Sequence, residues 1–576
     1  MILIKNPAGS RNPQQGLVQI VIHNLNPKKM KQMYRKVFTK WSATYLLTFC
    51  GICFTLQSQA QFTLTGQLRT RTEIRNGLGN LVPNEGVDAQ GNKTSIIKPG
   101  IFTSQRTRIN FGYKWDRLTF GVAVQDVRVW GQDASTISNA DGNKLMLHEG
   151  WGELTLFNKA DTTIKTKFLD LLTLKIGRQE LLYDDVRLIG NLDWLQQARR
   201  HDMALLKAVH QGWQVDLGYA FNQNNDAFGT TNSAFVPGNV PGYVKNTLGV
   251  LVPVPAGLVP TAAGGNNSNN SLKGGNPIYS NPPNTNGAAQ DYKSFNSLYI
   301  SKKFNQTKFS ALYFNDNFGK YKIDSAGTAT AGYVYGRRFS PSSPADLFDY
   351  STVGRYTYGL MVNHTLGNAT GFGKIALQAA YYAQSGKTRE NVNLSAHHYM
   401  AFATYQKGKF AFTPGYEFLS GDNTVTPSAK SRRFDPLYGT PHRHWGYMDY
   451  FYVGTGSAAG GLVNPYFKVK YISTALTLGA DAHLFYLDQN MKRADGTAID
   501  KKLGTEIDFQ LNYAMNKFTG IELGYSVMKA TNSMAIAKGQ ATTDAAAAGF
   551  NKTGTWFYAM IKFTPDFLYT KPVAIK

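Results

Sequence analysis

From residue 62 to residue 563 the chain repeats one pattern, strand-length runs with an apolar or aromatic residue at every second position. The positions between them carry arginine, lysine, glutamate or glutamine. In 63–75, Thr65, Gln67, Arg69, Arg71, Glu73 and Arg75 share one face, and Leu64, Leu68 and Ile74 share the other with Phe62 just before them. A water-soluble sandwich buries its apolar face and leaves its charges on the surface. Repeated this often behind an export leader, the pattern fits better inside out, with apolar side chains toward lipid and charges toward a wet lumen. The expected fold is therefore all-β, a transmembrane antiparallel β-barrel with its candidate functional residues in the lumen.

The leader is read from 28–40, which hold six Lys/Arg and no acid, followed by the apolar run 41–56 and then Gln57-Ser58-Gln59-Ala60. Charged, apolar and small-residue regions in that order make a signal peptide, with cleavage expected after Ala60. The apolar run is too short to span a bilayer comfortably. Cys50 and Cys53 raise a lipoprotein reading, but Phe49 stands where a small residue is needed. Residues 1–26 fit neither leader nor barrel, so translation is expected to start at Met30 or Met33, leaving 1–29 outside the leader proper. Residues 61–576 form a single expected barrel domain.

Both cysteines lie in the leader, so the exported chain gains no stability from disulfides. A closed barrel satisfies every backbone group and leaves no edge. With eight Lys/Arg removed, 61 − 8 = 53 basic residues face 37 acidic ones, a net of +16. The basic residues alternate along strands instead of clustering, so nucleic acid is set aside as a partner.

Alternation and turn signals place strands at 62–75, 102–115, 117–130, 146–157, 171–181, 202–210, 213–222, 294–305, 307–318, 353–366, 373–385, 394–405, 409–421, 463–471, 473–486, 503–514, 519–529 and 554–563. That is about eighteen, an even number, as a single-chain bacterial barrel requires. Connections after strands 2, 6, 8, 12, 14 and 16 are mostly tight, and 158–170 after strand 4 is the exception. Those after odd-numbered strands include long ones at 223–293, 319–352 and 422–462. Short periplasmic turns and long outer loops follow, and the Gly/Asn/Pro-rich loop 223–293 is expected to be mobile.

The polar faces are basic. Arg106, Arg108 and Lys114 oppose Ile109, Phe111 and Trp115; Lys468 and Lys470 oppose Phe467 and Val469; Arg355 opposes Tyr356 and Tyr358. Glu149, Glu153, Glu506 and Asp508 share the lumen. A lipid-facing arginine at mid-bilayer costs about 2–4 kcal/mol, which turns these charges inward. Parity breaks twice: Asp126 and Arg128 fall on the face of Phe120 and Val122, and Arg178 and Glu180 on that of Leu174 and Ile176. A bulge that switches faces and a position at the outer rim both account for this. Lumen ion pairs brace a wall in any barrel, but surplus positive charge in a low-dielectric wall also draws anions.

Three segments go beyond generic barrel features. They are 177–190 (GRQELLYDDVRLIG) with Trp194, Arg199, Arg200 and Asp202; Ser420-Gly421-Asp422 with 434–442 (FDPLYGTPH) and 446–449 (GYMD); and 503–508 (LGTEID) with 524–526 (GYS). Together they resemble the bacterial alginate-export outer-membrane porin family, over 62–563. The resemblance implies an eighteen-stranded barrel and an arginine-rich constriction that passes a polyanionic uronate polysaccharide. It makes Arg69, Arg71, Arg106, Arg108, Arg128, Arg178, Arg187 and Arg355 the candidate pore-lining cations. Loop 223–293 departs from the founding member. The last strand ends on an aromatic residue, Phe563, resembling the signal read by outer-membrane assembly machinery, although thirteen residues follow it.

No nucleophile elbow, phosphate loop or zinc-protease signature occurs, and the histidines show no metal-ligand spacing, so no catalytic residue, metal or cofactor is expected. The expected partners are the outer-membrane bilayer of a Gram-negative bacterium, assembly machinery, and an anionic polysaccharide, oligosaccharide or small organic anion. A general porin for small organic anions and a surface adhesin acting through the long loops are the rival readings.

Overall fold

The computed structural model describes residues 61–86, 95–131, 145–161, 168–223, 243–262, 276–277, 292–453 and 457–568. The leader, with Cys50 and Cys53, and most of loop 223–293 lie outside them.

Eighteen strands form one antiparallel sheet. They are β1 Gln61–Asn76, β2 Gly100–Trp115, β3 Leu118–Val129, β4 Leu145–Asn158, β5 Leu171–Gln179, β6 His201–His210, β7 Trp213–Phe221, β8 Ser294–Phe304, β9 Thr307–Gly319, β10 Thr352–Asn368, β11 Gly373–Lys387, β12 Asn393–Lys407, β13 Phe410–Leu419, β14 Leu462–Ile472, β15 Leu476–Tyr486, β16 Lys502–Asn516, β17 Thr519–Ala530 and β18 Thr553–Phe563. Each pairs with the next, and β1 pairs with β18 from Leu68↔Phe563 to Asn76↔Thr555, which closes the barrel. Nine residues of tilted strand suffice to cross a bilayer, and even β5 and β7 reach that length.

Strand ends fall within about three residues of the expected ones, the usual scatter of element boundaries. Tight connections gather at one end, where Asp116, Gln211 and Asn305 take left-handed φ of 49°, 47° and 49°. Asp and Asn tolerate that region because their short polar side chains bond locally. Long loops gather at the other end, which makes the turn end periplasmic.

The outward face carries exposed Phe62, Phe111, Leu217, Leu360, Phe467 and Ile561. Near the turns it carries Trp115, Trp213, Phe304, Phe410, Tyr513 and Phe563, an aromatic belt at bilayer-interface height. Among the described residues no helix is long and apolar enough to cross a membrane; the strands cross it.

The inward face differs from the expected all-polar lumen. Toward the outer end, Phe295, Phe314, Phe318, Phe485, Met528 and Trp556 are buried and pack on loop residues such as Tyr438, Trp445, Met448 and Tyr450. The physical reason is that two connections, 180–200 and 420–461, turn inward and bring apolar side chains of their own, so the wall there is selected for packing. The loops also hold a small outer sheet formed by Leu258–Ala262, Asn276–Pro277, Lys322–Thr328 and Gly332–Arg338.

Candidate functional site

β1 and β2 lie side by side in a register that sets Gln67 opposite Arg108, Arg69 opposite Arg106 and Arg71 opposite Ser104. Four arginines thus stand on one inward patch. Arg69 and Arg106 are 2% and 0% exposed, and like charges placed directly opposite repel. The segment following β5 resolves this. Asp193 Oδ2 lies 3.1 Å from Arg69 Nη1, and its Oδ1 lies 2.7 Å from Arg106 Nη2. Gln196 Oε1 accepts from Arg69 Nε at 3.0 Å, and Gln67 Oε1 accepts from Arg106 Nε at 2.9 Å.

Arg71 donates to Glu73 at 2.9 Å and to the Trp194 carbonyl at 2.7 Å, with its guanidinium 4.1 Å over the Trp194 ring. Arg75 binds the other Glu73 oxygen, which also accepts from Trp556 Nε1 at 3.0 Å. Arg108 donates to Gln125 Oε1 at 2.9 Å and lies 3.7 Å from Glu180. Glu180 accepts from Asn191 at 2.7 Å and lies 2.7 Å from His148 Nε2. A register shift at Ala123/Val124 leaves His148 and Glu149 together opposite one β3 residue, which turns both inward.

The other candidates are brought elsewhere. Arg355 is clamped to Asp316, its neighbour on β9, at 3.0 and 2.5 Å, and to Asp435 at 2.8 Å. Arg187 sits in the inward segment, where it reaches Glu417 on β13 at 2.5 Å and Asp185 at 3.2 Å. These two arginines are anchors between loop and wall. Lys468 pairs with Asp481 at 2.9 Å, and Lys470 stands exposed one inward position below. Glu506 accepts from the Met448 amide at 2.8 Å, and Asp508 faces Asp481 across β15 and β16. Glu153 faces Lys175.

Arg128 and Arg178 are not in the lumen. Arg128 grips Asp126 at 2.6 Å, and Arg178 grips Asp202 at 2.8 Å, both on the outward face at the outer ends of β3 and β5. Their parity break thus marks the rim, where water solvates an outward charge.

Sequence reasoning passed over Asp193, Gln196, Asp316 and Glu417. Asp316 and Glu417 were visible as polar residues on inward positions of β9 and β13. Asp193 and Gln196 carry no periodic signal, since they lie between strands. The two inward segments also hold each other: Tyr438 N donates to Leu188 O at 2.9 Å, Gly190 N to Tyr438 O at 3.0 Å, and Thr440 N to Val186 O at 2.8 Å. A Cβ on Gly439 would stand 1.8 Å from the Arg187 carbonyl oxygen, so only glycine lets the two backbones meet. His442 stacks on Trp194 at 4.3 Å and bonds Asp449 at 2.8 Å.

Residues 85–221, from the connection after β1 through β7, match the family model described as alginate export. They include the whole first inward segment. That stretch of the chain is similar to the alginate-export family, and the fold that holds it is a closed eighteen-stranded antiparallel barrel. Among solved structures the chain is similar to three from Pseudomonas aeruginosa. OccK8 (OprE) has 10% identity, a TM-score of 0.48, and coverage of 88% of this chain and 99% of that one. OccK11 (OpdR) has 10% identity and a TM-score of 0.47, with 87% and 95% covered. OpdQ has 12% identity and a TM-score of 0.45, with 88% and 98% covered. No curated protein matches.

Proposed function

We propose that this porin passes anionic solutes, acidic alginate-like polysaccharide among them, by passive diffusion along the arginine wall of β1 and β2. One observation carries the reading: Arg69, Arg71, Arg106 and Arg108 crowd two adjoining strands and share the carboxylates of Glu73, Asp193 and Glu180. A positive patch in a low-dielectric wall concentrates anions and lowers their barrier to entry. Lys468 and Lys470 extend positive charge toward the periplasmic end of β14. The test is the reversal potential of the purified porin in a planar bilayer under a salt gradient. Anion preference is expected, and Arg106→Asp or Arg108→Asp should lower it; cation preference in the unaltered protein refutes the reading.

A second reading, a pore for small organic anions, draws support from the apolar core in the outer half of the lumen, which narrows the path available to a polymer. Liposome swelling with succinate against blockade by oligouronate separates the two. The assignment of 61–576 as the exported domain is tested by amino-terminal sequencing, which should begin at Gln61. Recognition by assembly machinery is assigned to β18, whose Phe563 is exposed, with Phe567 N donating to Leu64 O at 3.0 Å beyond it. Deleting 564–576 should then slow membrane insertion less than Phe563→Ala.

A further inference from the structure

Asp193 differs from the other carboxylates that hold lumen arginines. Its side chain is 43% exposed, while those of Glu73, Asp316 and Glu417 are 1%, 0% and 0% exposed. The guanidiniums it binds are closed in behind it. Arg69 and Arg106 are oriented by the side chains of Gln196 and Gln67, and Arg106 Nη1 also donates to the Gln196 carbonyl at 3.2 Å. One oxygen of Asp193 goes to each arginine. The result is a two-armed cationic seat, held from the protein side and filled from the water side by a single carboxylate.

We propose that Asp193 is a resident stand-in for the carboxylate of the transported solute, and that uronate units exchange with it at the Arg69–Arg106 seat. This rests on the anion reading above. Leaving two buried, directly opposed guanidiniums uncompensated is costly, so a carboxylate occupies the seat when the pore is at rest. The carboxylate side of the pair is open to water, which solvates the Asp193 side chain as it leaves and lowers the cost of its release. A second carboxylate arriving from solution can therefore replace Asp193 without leaving the arginines bare at any moment. The ligand class is a sugar bearing one carboxylate per unit, which satisfies the seat while its neighbours continue along the lumen. Arg71 and Arg108, to either side on the same two strands, offer the next contacts for such a chain.

The experiment measures blockade of chloride current through the full-length porin in planar bilayers by tetragalacturonate, with maltotetraose as the uncharged control. Asp193→Asn removes the competitor but keeps the shape. Blockade by tetragalacturonate should tighten about tenfold, the effect of one charge-assisted hydrogen bond, with maltotetraose unchanged. Asp193→Glu, which keeps the charge, should stay near the unaltered protein. Heat-modifiable gel mobility verifies assembly, and Asp193→Ser serves if the Asn variant fails to assemble. Unaltered or weaker blockade in the assembled neutral variant overturns the exchange proposal while leaving the anion reading intact. Failure of tetragalacturonate to block the unaltered porin, together with cation preference, overturns both.

Discussion

Arg355 and Asp316 face each other across β9 and β10, and neither reaches water. Asp316 also accepts from Tyr438 Oη at 2.8 Å, so the pair holds a loop tyrosine as well as a wall arginine. Removing one member of such a pair strands the other as a buried charge, at a cost of about 3–5 kcal/mol. Arg355→Ala should lower stability by that amount in urea unfolding from detergent micelles. Arg355→Met with Asp316→Leu should recover part of it, because the buried Asp316 charge is gone while Asp435 still loses its contact with Arg355. Asp193 behaves differently with pH. Burial raises its pKa, but Arg106 and Arg69 more than offset this, so the group sits below its ordinary 3.8. A depressed acid stabilises the fold above its unfolded pKa and loses that contribution as pH falls through the folded one. The difference in anion preference between the unaltered protein and Asp193→Asn should therefore be equal at pH 7 and pH 4.5, and vanish only below about 3.8. Reversal potentials across that range test it.

At the scale of elements, the strands were legible and the inward segments were not. A strand writes itself into the sequence with a period of two, and lipid on one side enforces it at every position from Leu118 to Val124 or from Tyr356 to Leu360. The segments 180–200 and 420–461 have no period, because each residue answers to one neighbour: Gly439 to the Arg187 carbonyl, Asp193 to two arginines, Arg187 to Glu417. Their resemblance motifs flagged them as special without saying that they fold into the lumen or touch. The two rim arginines show the opposite limit, since parity placed Arg128 and Arg178 on the outward face but could not give their height in the membrane. The contact at Gly439 supports a prediction at this scale. Gly439→Ala puts a methyl group against fixed backbone, 2.5 Å from the Arg187 carbonyl carbon. Overpacking of this kind costs about 1–3 kcal/mol. The barrel ladder does not depend on that contact, so assembly should persist while the two segments separate. Single-channel recordings should show larger and noisier conductance; unchanged traces would mean the segments do not limit the path.

Considered whole, the molecule is a hydrogen-bonded cylinder whose outside is fixed by lipid and whose inside combines an apolar core with arginines braced by carboxylates. The expected exported chain carries 53 basic against 37 acidic residues, but net charge alone does not decide selectivity, because a distant surface charge is screened. Screening lengths are about 10 Å at 0.1 M salt and about 3 Å at 1 M. If preference comes from the general positive field of the protein, it should collapse between those two concentrations. If it comes from guanidiniums fixed in the wall, where burial keeps screening ions away from them, part of it should survive. The buried, cross-braced arrangement of Arg69, Arg71 and Arg106 favours the second outcome. The expected result is a fall in anion preference from 0.1 to 1 M salt that levels off above unity, with the residual part removed by Arg106→Ala. A preference that reaches unity at 1 M in the unaltered protein would assign selectivity to the long-range field and leave the arginine wall a brace.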